Sequence, residues 1–194
     1  PRKLQMYLFF DTETTGIPKD YKAPVSDLNN WPRLVQIAWL VVDESGAEIS
    51  SAEHIVKPNG FTIPAAAAKI HGITTDIALD RGIDIKFALD GIAKDILTEK
   101  KLIAHNMAFD EKILGAEFLR AGYSNHLDAK SRSCTMQAAT NFCRLPGPYG
   151  FKWPTLNELH NKLFRESFSG AHRALIDVRA CAKCYFELKR LKVM

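Results

Sequence analysis

Four acidic residues and one histidine in this chain stand where side chains could carry out hydrolysis. Asp11 and Glu13 are two positions apart in "FDTETTG", so on an extended strand both carboxylates leave the same face. Asp110 closes "AHNMAFD", while His172 and Asp177 are five apart in "HRALIDVRA". Carboxylates at close range raise one another's pKa, and hard divalent cations with oxygen ligands relieve the repulsion. Carboxylates with water are what Mg²⁺ or Mn²⁺ prefers, and two such ions about 3.5–4 Å apart serve phosphodiester cleavage. Taken singly, each residue has a plainer use. Asp110 and Asp177 would complement helix N-termini, which stabilises by roughly 0.3–1 kcal/mol, and His172 would be an ordinary histidine. Taken together, their positions at strand ends and helix starts point to one shared site.

The elements that must gather them follow from periodicity. Strands are expected over 6–10, 34–42 and 48–56, and "DESG" at 43–46 makes the second and third an antiparallel hairpin. Asp11 and Glu13 then end the first strand. Residues 18–33, rich in Pro, Asn and Lys, read as a long irregular loop of the kind that carries function or disorder. "IPAAAAKIHG" reads as a short helix begun by Pro64 and stopped by Gly72. A further helix is expected over 84–98, with Phe87, Leu89, Ile92, Ile96 and Leu97 mostly at helical spacing. "KLIAHN" is a short strand, and 109–121 a helix that starts near Asp110. Residues 133–143 look partly helical, "RLPGPYGFKWP" is a loop, and 156–164 is a helix. The last helix spans 174–191, with Leu175, Val178, Ala182, Tyr185 and Leu188 along one face and Asp177 in its first turn. Five helical residues turn the chain by about 140°, so His172 must lie outside the helix to fold back over a site that Asp177 points into. A ring so placed, titrating near neutral pH, suits a general base. The pattern is that of one mixed-sheet α/β domain over 1–194.

Composition sets the outer bounds. Hydrophobic residues make up 46% and charged residues 25%, a globular balance. Lys and Arg outnumber Asp and Glu by 26 to 22, which permits an anionic partner without demanding one. The longest apolar runs are too short to span a bilayer, and Asp11 interrupts any signal-like stretch after Arg2 and Lys3. The expected location is the cytoplasm. Of Cys134, Cys143, Cys181 and Cys184, only the last two are closely spaced, inside a helical stretch, so they read as buried thiols rather than a zinc set.

The motifs "FDTETTG", "AHNMAFD" and "HRALIDVRA", with "IHGIT" at 70–74, resemble those of the DEDD superfamily of 3′→5′ exonucleases, histidine type. The group includes proofreading subunits of bacterial DNA polymerase III, and the likeness spans nearly the whole chain. It implies a ribonuclease H-like fold with a five-stranded mixed sheet flanked by helices. It implies that Asp11 bridges two cations, that Glu13 and Asp177 hold the one that activates water, and that Asp110 supports the second, largely through water. His172 would be the general base. Thr12, Thr14, Gly16 and Ile17 would meet the 3′-terminal nucleotide, with Ile17 wedged against its base and His71, Asn106 and Phe109 lining the cleft. The implied partner is the 3′ end of a nucleic acid, DNA in preference, with a DNA polymerase subunit as a second.

Departures from the family pattern bear on specificity. The loop at 18–33 is long for the family, and no polymerase-clasping segment reads after the last helix. Ile176 and Val178 stand where small residues are common, which implies altered packing. "GPYGFKWP" adds Tyr149, Phe151, Lys152 and Trp153, and two roles fit it: rings that stack on bases, or a loop pinned to the core by Trp153 and Phe151. Three rival readings stay open, one of them a plain structural cation site formed by the carboxylates. An RNA-trimming exonuclease of the same superfamily, of the oligoribonuclease or ribonuclease T kind, would carry the same motifs. A non-catalytic nucleic-acid or polymerase-binding module would lack an acid or the histidine, and none is missing.

Overall fold

A computed structural model describes residues 5–98, 100–168 and 173–194. At its centre lies a five-stranded mixed sheet in the order β3-β2-β1-β4-β5. Strands β1 (Met6–Thr14), β2 (Leu34–Val42) and β3 (Glu48–Ile55) form an antiparallel meander, while β4 (Lys100–Ala104) and β5 (Arg132–Cys134) add parallel strands beside β1. The β2–β3 turn is the expected one. The Asp43 side chain accepts from Ser45 N at 2.8 Å and Ala47 N at 3.1 Å and closes the hairpin.

Strand β1 continues past the expected residue 10 to Thr14, and this extension positions the chemistry. Tyr7 and Phe9 pack on one face of the sheet, against α7 (Ala174–Arg190). Leu8 and Phe10 pack on the other, against α3 (Ile85–Leu97) and α4 (Met107–Arg120). Strand alternation carries Asp11 and Glu13 onward on the α7 side and Thr12 on the α4 side. β2 is buried on both faces from end to end, which explains why it is apolar except at Gln36.

The helices differ from expectation in detail. α1 (Ala65–His71) ends at Gly72, whose φ of 78° is the left-handed stop that glycine supplies. An unexpected helix, α2 (Thr75–Arg81), follows; Thr74 caps it by accepting from Ile77 N. In α3, Leu89, Ile92 and Ile96 are buried as expected, but Phe87 and Leu97 are exposed. The stretch 133–143 divides into β5 and α5 (Thr135–Cys143), and a two-residue hairpin, β6 (Pro146–Gly147) with β7 (Gly150–Phe151), precedes α6 (Leu156–Phe164). In α7, Val178, Ala182 and Tyr185 face the sheet, whereas Leu188 turns with Cys184 toward Cys143 and Leu159. All four cysteines are free, and Cys143, Cys181 and Cys184 are buried. Burial pushes the Cys184 thiol up to about 12, so it stays protonated and acts as a small apolar group.

The long loop at 18–33 has no helix or strand, yet it is firmly held. Trp31 and Ala23 are buried in the core, and Arg120 donates to the carbonyls of Leu28 at 2.5 Å and Trp31 at 2.6 Å. Glu117, fully buried, accepts from Arg33 Nε at 2.8 Å, Arg120 at 2.8 Å and Leu34 N at 3.1 Å. A carboxylate with three donors, two of them cationic, meets the requirement for burying a charge. Among the described residues, no helix is long and apolar enough to cross a membrane.

Candidate active site

The end of β1, the start of α4 and the start of α7 meet at one edge of the sheet. Ligand atoms of Asp11, Glu13 and Asp177 lie within 4.8 Å of one another. Asp177 is in the first turn of α7, which faces the same side of the sheet as Asp11 and Glu13. Asp110, in the first turn of α4, stands across the strand. Its Oδ1 accepts from Thr12 N at 3.0 Å and Thr12 Oγ1 at 2.8 Å. One tripeptide therefore sends its two acids to one face and, through Thr12, fixes a third acid on the other. Asp110 does not join the tight group of three, but it lines the same cavity of about 580 Å³.

The electrostatics are those of a site built for positive charge. Burial raises the Asp11 carboxyl well above the usual range, and Asp110, Glu13 and Asp177 add repulsion. Burial, then Asp177 and Asp110, push Glu13 up to about 7. Burial likewise lifts Asp110 to about 7, against the pull of its hydrogen bonds from Thr12. Oxygen-only donors under mutual strain suit a hard divalent cation, and the residues fit one. No described cysteine joins the acidic group.

The expected nucleotide-contacting residues fall in three places. Thr12, Asn106 and Phe109 line the cavity with the acids. Thr14, Gly16 and Ile17 continue from the strand end: Thr14 Oγ1 donates to Gly16 O at 2.6 Å, and Gly16 has a φ of 152° that favours glycine. This turn leaves Ile17 73% exposed. His71 is buried at the C-terminal end of α1, where Nδ1 accepts from Ile73 N at 3.2 Å, and it is not among the cavity-lining residues. His172 lies outside the described residues.

Five cavity residues escaped the sequence reading: His105, Thr155, Leu156, Asn157 and Phe168. Thr155 and Glu158 form a capping box at the start of α6, a signal present in "TLNE". His105 shows no such local signal. Its Nε2 meets Pro154 O at 2.9 Å and its Nδ1 meets Thr135 Oγ1 at 2.9 Å. A carbonyl only accepts, so Nε2 carries the proton and Nδ1 accepts from the Thr135 hydroxyl. Burial pushes the ring down to about 4, opposed by the Pro154 bond, so His105 is neutral at working pH and clamps the end of β4 to the start of α6.

Comparison with known proteins gives the family and the shared fold. The family model RNase_T, described as an exonuclease, matches residues 8–185. An uncharacterized exonuclease, CP81, of Escherichia phage 186 is 28% identical over 184 residues, covering 89% of this chain and 82% of its own. The DNA polymerase III subunit epsilon of Buchnera aphidicola (subsp. Schizaphis graminum) is 32% identical over 117 residues, covering 59% of this chain. The crystal structure of E. coli exonuclease I with single-stranded DNA and zinc superposes with a TM-score of 0.76 over 98% of this chain at 22% identity, which shows a shared fold. The chain spans less than half of those last two proteins, 46% and 41% of their lengths. With a family match over nearly its whole length on a ribonuclease H-like sheet, the chain belongs to the exonuclease family of histidine-type DEDD motifs.

Proposed function

We propose that residues 1–194 work as one exonuclease domain that removes nucleoside 5′-monophosphates from the 3′ end of single-stranded or frayed DNA. The observation that carries this reading is the convergence of Asp11, Glu13 and Asp177 within 4.8 Å, beside a Thr12-anchored Asp110, in an open cavity. Asp11, Glu13, Asp110 and Asp177 would hold two divalent cations, Mg²⁺ or Mn²⁺. When bound, these supply positive charge that acidifies water and stabilises the developing charge on phosphate and leaving oxygen.

The chain's own residues do the rest. His172 takes the proton from the attacking water, whose oxygen forms the new bond to phosphorus as the bond to the penultimate 3′ oxygen breaks. Thr12, Thr14 and Gly16 seat the terminal nucleotide, Ile17 wedges against its base, and Asn106 and Phe109 line its pocket, with His71 supporting the seat from α1. Thr12 holds Asp110 against its neighbours' repulsion. That exonuclease I was solved with single-stranded DNA favours DNA over RNA here. The likeness to a polymerase subunit makes a DNA polymerase subunit a candidate partner.

Digestion of oligonucleotides labelled at either end tests the reading. The expected result with Mn²⁺ is immediate release of the 3′ label as mononucleotide and a descending ladder from the 5′ label. Internal fragments, or exclusive cleavage of the matching RNA, would overturn it.

A further inference from the structure

The β6–β7 hairpin displays three rings that the reaction does not use. Tyr149 is 101% exposed, Trp153 62% and Phe151 50%, so neither Phe151 nor Trp153 pins the loop to the core. The mount is nevertheless fixed. Pro146 pairs with Phe151 and Gly147 with Gly150, whose φ of 121° makes the turn possible. Lys152 N donates to Leu145 O at 2.9 Å, Lys152 Nζ pairs with Glu158 at 2.6 Å, and Pro154 O is held by His105 at 2.9 Å. The backbone that carries the rings is therefore ordered before anything binds.

The residues that follow connect this hairpin to the acids. Thr155 and Asn157 line the acidic cavity and also a second one of about 480 Å³, bounded by Leu145, Asn161 and Lys162. Thr155 and Asn157 therefore form the junction between the two cavities. Arg144 is exposed at the base of the hairpin, and Lys162 lines the second cavity, where Glu158 is already paired with Lys152, so net positive charge flanks the path.

We infer that the β6–β7 hairpin is a stacking platform for single-stranded nucleic acid, engaging nucleotides on the 5′ side of the scissile phosphate. Bases stack on Tyr149 and Trp153, and the backbone follows Arg144 and Lys162. Every base offers a π-face, so the platform is sequence-tolerant and its benefit grows with strand length. This inference rests on the proposed exonuclease activity for its direction along the strand.

Tryptophan emission and length-dependent kinetics test it. Trp31 and Trp39 are buried at 3% and 4% exposure, so a change on binding reports Trp153. A twelve-residue thymidine strand with phosphorothioate linkages is expected to quench the emission, and Trp153→Phe to abolish the quenching. Tyr149→Ala and Trp153→Ala are expected to raise KM for a twelve-residue strand by about 5- to 100-fold each, while KM for a dinucleotide moves less than twofold. Absence of quenching, or equal effects on both substrates, overturns the platform. If the unaltered protein hydrolyses neither substrate, the proposed activity fails, and quenching, which needs no turnover, still decides the platform. If it hydrolyses both and the variants behave like it, the platform alone falls, and with it the single-stranded occupant of this surface.

Discussion

Glu13→Gln should make the cation-free protein more stable while destroying its site. In the folded chain, burial and the neighbouring Asp177 and Asp110 raise the Glu13 carboxyl from 4.5 to about 7. A carboxyl raised by folding carries a penalty that is absent below the unfolded pKa and complete above the folded one. The stability of the cation-free protein should therefore fall as pH climbs from 4.5 to 7. At about 1.36 kcal/mol per tenfold change in proton affinity, and allowing for partial exposure, the penalty is about 2–3 kcal/mol at pH 8. The amide keeps the shape and removes the charge. In a chain of this length, that gain raises the melting temperature by about 4–12 °C. Calorimetry in EDTA at pH 8 and pH 4.5 reads it directly: the variant should melt well above the parent at pH 8 and level with it at pH 4.5. Mn²⁺ at about 100 times its Kd should then raise the parent by about 2.7 kcal/mol, and the variant by much less. If Glu13→Gln melts no higher at pH 8, or gains equally at both pH values, burial of the Glu13 charge beside its acidic neighbours is not a cost the fold carries.

Other consequences can be measured independently. Asp11→Ala and Asp177→Ala should each abolish mononucleotide release, and full activity in either would refute the shared site. Under the proposed mechanism, in which the histidine acts on water rather than on the strand, His172→Ala should lower kcat by about 10²- to 10⁴-fold with little change in KM. His105→Ala should lower unfolding free energy by about 2–3 kcal/mol, because Pro154 O and Thr135 lose their partner. A histidine pushed down to about 4 contributes stability that is present above 6.5 and lost as pH falls, so this variant should also flatten the acid limb between those values. Glu117→Ala should cost about 3–5 kcal/mol by stranding Arg33 and Arg120, and limited proteolysis should then cut first within 18–33.

What was legible in the chain was what repeats locally. Alternation along β1 placed Asp11 and Glu13 on one face, and the first turns of α4 and α7 placed Asp110 and Asp177. What escaped depends on partners far apart in sequence. Thr12 finds Asp110 across 98 residues, His105 finds Pro154 across 49, and Arg120 finds Leu28 across 92. No window of local pattern holds both members of such a pair, so the anchoring of the irregular 18–33 loop could not be read from it. α2 escaped for another reason: seven residues with three charges give too short an apolar stripe to register. The outward display of Phe151 and Trp153 was equally hidden, because exposure is decided by what packs nearby and not by residue type.

The position of Asp177 in α7 has a consequence for synthesis. A nascent chain leaving the ribosome carries Asp11, Glu13 and Asp110 well before it carries α7. Until that helix docks, Tyr7, Phe9 and Leu40 have no cover, and the acid group lacks a member. Closure of that sheet face and completion of the acid group thus arrive together, when α7 docks. A product that stops short of Ala174 is left with a bare sheet face, a target for quality-control proteases, and with an incomplete acid group.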